Sequence, residues 1–275
     1  MGAQPLNATT IVAHGVCEIL AIADARLRTL GFGTLYRGVK QREHSEGWQR
    51  DPRLRDIDAL LDGTRRGERA WYSAMRALLE PSYLAATDPA AQSGKGGGLS
   101  AWELARRPIA AAIDRDGTFL DIGCANGLLM ESVVSWAAAA GYRIEPYGLD
   151  LSPALVRLAR RRLPHWADRM WAGNVMTWRP PRVFDFVRTE LVYVPPGREP
   201  DLVHRLLTRV VAPGGRLVVC SYGSSSGAAP RVQSLEDLLT NWAFAVAGHA
   251  EATAPSGVTI TRVVWIDRAA GGRPS

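Results

Sequence analysis

Three carboxylates, one phenol and a pair of glycines are the residues of this chain best spaced to do chemistry. Asp121 lies in the apolar run Phe119-Leu120-Asp121-Ile122, which ends at Gly123. After Gly127, Leu128, Leu129, Val133, Val134 and Trp136 follow at near-helical spacing. The pattern predicts a buried strand that turns at glycines, where a missing Cβ permits close approach, and restarts as a helix. The free N–H groups of such a helix face the crevice at the carboxyl end of the strand, so a polar ligand is expected there. The glycine spacing narrows the ligand. A pyrophosphate needs the middle glycine of G-x-G-x-x-G, and here Cys124, Ala125 and Asn126 separate Gly123 from Gly127. Roughly twenty residues on, where a ribose-binding acid belongs, Asp150 ends a second strand pattern. Ser152 and Pro153 then fit the N-cap and first position of a helix that closes before Pro164. Glu190 and Tyr193, at and just past the end of the strand pattern that begins at Phe184, are the candidate general bases.

The stretch Asp121-x-Gly123-x-x-x-Gly127 resembles the first motif of class I S-adenosylmethionine-dependent methyltransferases. The resemblance runs from about residue 100 to the end: Val210-Val211-Ala212-Pro213-Gly214-Gly215 and the strand after it resemble the helix, turn and fifth strand of that family. It implies an α/β, Rossmann-like seven-stranded methyltransferase sheet with an antiparallel C-terminal hairpin and a helical N-terminal cap. It implies S-adenosylmethionine as cofactor and S-adenosylhomocysteine as product. In that reading the turn, with Asp121, Gly123, Cys124, Asn126 and Gly127, wraps the amino-acid end of the cofactor. Asp150 accepts the ribose hydroxyls beside Leu151, while Gly173, Asn174 and Val175 lie along the adenine, Asn174 meeting its exocyclic amine. Thr189 and Glu190 stand where the methyl is presented. Glu190 then reads equally well as a partner of the cofactor amine, and Tyr193 as an aromatic wall. The segment Gln92-Ser93-Gly94-Lys95-Gly96-Gly97-Gly98, with Trp102 and Arg106, resembles the lead-in of a group of bacterial small-molecule methyltransferases within that class. Gln92, Ser93, Trp102 and Arg106 are therefore candidates for the methionine carboxylate or the acceptor. The alternative reading is a flexible linker before a helix with Ser100 as N-cap and Glu103 at N3.

The elements that must position these residues follow from length and pattern. At 275 residues and 47% hydrophobic, the chain can bury one core of the size this fold needs and carry an appended subdomain. The expected division is a helical cap and substrate segment at 1–98, the methyltransferase domain at 99–268 and a flexible tail at 269–275. In the cap, helical patterns run over 16–30 and about 57–79, broken by the Gly31-Phe32-Gly33 hinge, and Pro81 and Pro89 mark irregular chain. Beyond the fifth strand, 235–246 reads as a helix, and 249–254 and 258–267 as two strands around Pro255-Ser256-Gly257.

Composition bears on partners. No segment approaches the roughly 18 apolar residues of a membrane span, and residues 11–23, interrupted by His14 and Glu18 with no basic lead, do not form a signal peptide. Cys17, Cys124 and Cys220 lie far apart without metal spacing, which fits a reduced, cytoplasmic protein. The net charge of +6 is carried by arginine, Lys40 and Lys95 being the only lysines, and Arg157 with Arg160, Arg161 and Arg162 is expected on a solvated helix face. A small-molecule acceptor is expected rather than nucleic acid. His14, His44 and His204 are outside candidates. No Asp/Asn cluster of the catechol-type kind and no Asn/Asp-Pro-Pro-Tyr tetrad occurs, so the expected reaction is metal-independent transfer to an oxygen, nitrogen or carbon nucleophile, in specialised metabolism. An RNA methyltransferase and a non-catalytic cofactor-binding protein are the alternatives.

Overall fold

The computed structural model describes residues 52–223 and 234–270. The helical pattern at 16–30, the 31–33 hinge, His14, Cys17, His44 and the tail beyond 270 lie outside the described residues. One seven-stranded sheet is built from β1 (Gly117–Ile122), β2 (Ile144–Asp150), β3 (Met170–Ala172), β4 (Phe184–Glu190), β5 (Val211–Tyr222), β6 (Gly248–Thr253) and β7 (Thr259–Asp267). Its order is β3-β2-β1-β4-β5-β7-β6. The first five strands are parallel, and β7 pairs antiparallel with both β5 and β6. The described helices are α1 (Pro52–Asp58), α2 (Arg65–Ala85), α3 (Gly98–Arg106), α4 (Leu128–Ala139), α5 (Pro153–Arg162), α6 (Glu199–Arg209) and α7 (Leu235–Asn241).

The pleat sorts residues onto two covered faces. Leu120, Ile122, Val187, Leu217 and Val219 pack with Leu202, Val203 and Leu206 of α6. On the other face Phe119, Phe186 and Val218 pack with Leu129, Val133 and Trp136 of α4. Strands buried on both faces read as continuous apolar runs, which is why they stand out in the sequence. On the α4 face the pair Phe119 and Phe186 is followed one pleat later by the cross-strand pair Asp121 and Arg188. An apolar layer thus gives way to charges at the carboxyl ends of β1 and β4, next to the strand-order reversal where open α/β sheets bind ligands.

Several elements depart from the sequence expectations for local reasons. The 57–79 pattern is two helices, because the Asp62 carboxylate accepts the Thr64 N–H (2.9 Å) and hydroxyl (2.6 Å), Gly63 turns at φ 78°, and Thr64 caps the Gly67 N–H at 3.1 Å. Pro81 lies inside α2 instead of ending it. An interior proline costs about 3 kcal/mol, and burying one large side chain such as the following Tyr83 returns roughly 1.5–3, so packing can hold the helix together. Gly97, not Ser100, is the N-cap of α3. The Pro213-Gly214-Gly215 turn sits inside β5, where the register jumps from Phe184↔Val211 to Phe186↔Arg216. A Cβ on Gly215 would come within 2.8 Å of the Ala212 and Asp185 carbonyl oxygens, so only glycine fits this irregularity. The third strand stops at Ala172 because Gly173 donates to the Asp150 carbonyl (2.8 Å) and Asn174 accepts the Met176 N–H (2.8 Å), turning the chain. The last helix ends at Asn241, before a turn at Ala243 (φ 62°). Among the described residues no helix is long and apolar enough to cross a membrane.

Candidate active site

The turn after β1 is tied to β2 before any ligand is considered. The Gly123 and Cys124 N–H groups donate to the Leu149 carbonyl at 2.7 and 3.2 Å. Asp150 at the end of β2 accepts the Ala125 N–H on one carboxylate oxygen (2.9 Å) and the Ser152 N–H on the other (2.8 Å). Ser152 also caps α5 through the Leu155 N–H (3.1 Å), with Pro153 at the first turn. Asn126 accepts the Leu128 N–H at 3.1 Å and donates to the Pro89 carbonyl at 2.9 Å. The first amide of α4 is therefore spent inside the protein rather than offered to the crevice. Acceptors, not amides, are the marked feature of this site, which suits hydroxyls and a cation better than a phosphate.

A cavity of about 1040 Å³, its open mouth included, spans the carboxyl ends of β1, β2 and β4. Gly123, Asp150, Leu151, Gly173, Asn174 and Val175 line one side of it. Each Asp150 oxygen is engaged by one backbone N–H and keeps further lone-pair capacity for hydroxyl donors. Burial pushes its carboxyl up to about 6, against the pull of the Ser152 and Ala125 amides. Asn174 accepts the Met176 N–H at 2.8 Å, and Tyr72 lines the cavity with it. Ser93 and Arg106 line the cavity too. Arg106 is 6% exposed, its guanidinium lies 3.5 Å over the Tyr222 ring, and its Nη1 is buried without a hydrogen-bond partner. A buried donor left unpaired costs about 1–3 kcal/mol, which an anionic ligand group would recover.

Glu190 and Tyr193 reach the cavity as parts of a buried network centred on Arg188. Arg188 donates to Asp121 (3.3 Å), the Ile122 carbonyl (3.2 Å), Tyr193 Oη (2.8 Å), Tyr222 Oη (3.0 Å) and Glu190. Tyr193 donates to Glu190 Oε1 at 2.6 Å. Burial holds the Tyr193 phenol well above its ordinary range despite Arg188, so it is a hydroxyl and not a phenolate base. Burial likewise lifts Asp121 to about 6, opposed by Arg188. A Cβ on Gly123 would lie 2.4 Å from the Tyr193 ring, so the glycine makes room for this side chain.

Other residues expected at the cofactor stand elsewhere. Cys124 is buried against Met130 beneath Gly148, and burial raises its thiol well above the ordinary range. Asn126 staples the turn, Gly127 supplies the left-handed N-cap of α4, and Asp121 pairs with Arg188 below the cavity floor. Thr189 is fully buried and points its hydroxyl back at the Glu190 carbonyl (3.4 Å). Gln92 donates to the Ala86 carbonyl (2.8 Å), and Trp102 is core, its ring 6.1 Å from that of Trp136. None of these lines the cavity. His204 is exposed on α6, and among the described residues no group of three His, Cys, Asp or Glu side chains could hold a metal.

The sequence reading missed Arg188, Ala125 and the α2 residues Tyr72 and Glu80. Glu80 bonds the Ser152 hydroxyl and lines the cavity beside Asp150. Arg188 was signalled by its type and place, a charge two residues before Glu190 and therefore on the same strand face.

No family model matches the chain, and no curated protein matches it. Among solved structures, 1,6-didemethyltoxoflavin-N1-methyltransferase of Burkholderia thailandensis, bound to 1,6-didemethyltoxoflavin and S-adenosylhomocysteine, is similar with a TM-score of 0.53. It is 17% identical over 74% of this chain and 90% of its own. The pyocyanin biosynthetic protein PhzM has a TM-score of 0.47 and 22% identity, covering 78% of this chain and 68% of that one. The N-methyltransferase NodS of Bradyrhizobium japonicum, with S-adenosylhomocysteine, has 0.46 and 15%, covering 69% and 95%. The sheet order, the antiparallel closing strands and the first of these superpositions agree: the chain has the fold of the class I S-adenosylmethionine-dependent methyltransferases.

Proposed function

We propose that the chain binds S-adenosylmethionine in the cavity beside Asp150 and transfers its methyl group to a nucleophile of a small molecule. The observation that carries this reading is Asp150: a buried carboxylate at the end of β2, held by two backbone amides and facing a cavity in this fold. The other groups that line the cavity fit the cofactor's chemistry. Asp150 suits the ribose hydroxyls, and Leu151, Gly173, Asn174 and Val175 suit the adenine, with a lone pair on Asn174 left for an amine. The unpaired Nη1 of Arg106, with Ser93, suits the carboxylate, and Glu190 suits the ammonium.

Bound there, the cofactor supplies a sulfonium methyl that is already an activated electrophile. The residues of the chain then have to align the acceptor, exclude water and hold charges in place. Tyr193, kept protonated by burial, and Val192 wall the side of the cavity next to β4. Trp71 and Met75 of α2 close it from the cap side, and they pack on Val192. Residues before 99 serve as cap and substrate segment over the domain at 99–268. The acceptor is a small molecule of specialised metabolism rather than RNA, the reaction needs no metal, and the buried thiols Cys124 and Cys220 suit a reducing cytoplasm.

Transfer is tested by incubating the chain with methyl-labelled S-adenosylmethionine, separately with a panel of hydroxyl, amine and heteroaromatic acceptors and with total RNA. Release of S-adenosylhomocysteine with labelled small-molecule product is expected. Label in RNA would move the reading to RNA, and cofactor binding without turnover on a broad panel would favour a binding protein.

A further inference from the structure

Arg188 is the most heavily engaged side chain around the cavity, and the methyl-transfer chemistry does not use it. It sits mid-sheet on β4, 2% exposed, and its guanidinium reaches five partners drawn from three segments. From β1 it holds Asp121 at 3.3 Å and the Ile122 carbonyl at 3.2 Å. From β5 it holds Tyr222 Oη at 3.0 Å. At the end of β4 it holds Glu190, and just past it Tyr193 Oη at 2.8 Å. Tyr193 closes the loop by donating to Glu190 at 2.6 Å. Glu190 thus has one oxygen, Oε1, fixed by two donors, while the side chain still lines the cavity. Two buried carboxylates, Asp121 and Glu190, face the Arg188 guanidinium beneath the cavity, and the buried Arg106 guanidinium lies within electrostatic reach of Asp121.

A general base must be free to take a proton, and a carboxylate already shared by a guanidinium and a phenol is poorly disposed to do so. The same carboxylate is well disposed to accept a hydrogen bond from a fixed cation. Resting on the binding mode given above, we propose that Arg188 is a positioning residue that commits Glu190 to recognising the cofactor's ammonium group and removes it from proton transfer. Tyr193 acts as the second clamp. The acceptor must accordingly bring a nucleophile that needs no base from this pair, and its proton leaves to solvent as the carbon–nucleophile bond forms and the sulfur keeps the electron pair of the broken bond.

The test is titration of the full chain with S-adenosylhomocysteine and, separately, with 5′-methylthioadenosine, which keeps the adenosine and thioether and lacks the amino-acid end. Charge-assisted hydrogen bonds are strong enough that Glu190→Gln and Arg188→Lys should each weaken S-adenosylhomocysteine about tenfold or more. Both should leave 5′-methylthioadenosine within about twofold, because no contact to it runs through Glu190. With an acceptor in hand, Glu190→Gln should raise the KM for the cofactor and largely spare kcat. Unchanged S-adenosylhomocysteine affinity in Arg188→Lys, equal loss for both probes, or a fall in kcat at unchanged KM in Glu190→Gln overturns the proposal. If Arg188→Lys fails to fold, Tyr193→Phe removes the second clamp and must show the same selective loss. A wild-type chain that binds neither probe overturns the underlying cofactor reading, and a chain that binds both but shows no selectivity in the variants overturns only the role of Arg188.

Discussion

Ala125 holds φ 46° in the turn after β1, between two glycines that are also left-handed, and its N–H is one of the two that fix Asp150. The left-handed region costs an L-residue roughly 1–2 kcal/mol, against about 0.5–1 for the extra freedom of glycine and about 0.8 for the buried methyl, so Ala125→Gly should leave stability within about 0.5 kcal/mol in urea denaturation. It should also leave ligand affinity intact. Asp150 and Asp121 make a pH prediction with two opposite signs. Burial raises both to about 6, above the free carboxyl value of 3.8, so folding takes up protons between those values. These groups therefore favour the ligand-free fold at low pH, and their contribution is lost as pH rises from about 4 through about 6. Ligand binding runs the other way, since the hydroxyls and ammonium need ionised acceptors. Affinity for S-adenosylhomocysteine should be level above about pH 7 and fall below about 6, and Asp150→Asn should flatten the profile. A profile that rises on acidification would contradict the assignment of Asp150 as acceptor.

The strands were legible because apolar runs are local: the fourth strand coincides with its sequence pattern, and Ser152 with Pro153 marked the start of α5. What could not be read was register. Arg188 meets Asp121 and Tyr222 only because β4 lies between β1 and β5, and Tyr72 and Glu80 reach the cavity only because α2 crosses it. The break between α1 and α2 was legible in Asp62-Gly63-Thr64, where turn chemistry outweighed helical periodicity. Packing between elements also sets two measurable sensitivities. A Cβ on Gly148 would lie 2.8 Å from both Cys124 Sγ and Met130 Sδ, and the thiol is fixed in the turn. Gly148→Ala should cost about 1–3 kcal/mol and weaken ligand binding by shifting the turn. Trp71 of α2 is 3% exposed and donates to Asp58 of α1 at 2.9 Å. Trp71→Ala should cost about 3–5 kcal/mol in chemical denaturation and loosen the cap wall of the cavity. A loss under 1 kcal/mol would show that α2 does not depend on this contact.

At the scale of the molecule, a mixed sheet covered on both faces carries an arginine-rich surface, part of it paired with carboxylates. Arg162 with Glu131, Arg216 with Asp267 at 2.6 Å and Arg262 with Glu251 at 2.6 Å are ion pairs on different elements. The cavity is where the whole fold concentrates unmet chemistry: acceptors at Asp150 and Glu190, an unpaired donor at Arg106, and room beside them. A ligand that satisfies these groups should act on the entire cooperative unit, adding about 2.7 kcal/mol at a hundredfold excess over Kd. The most direct measurement is calorimetric titration of S-adenosylhomocysteine into the wild-type chain and into Asp150→Ala at pH 7.5. Saturable one-to-one binding to the wild type, weakened at least about thirtyfold in the variant by loss of its charged hydrogen bonds, is the predicted result. No binding to the wild type, or equal affinity in Asp150→Ala, would contradict it.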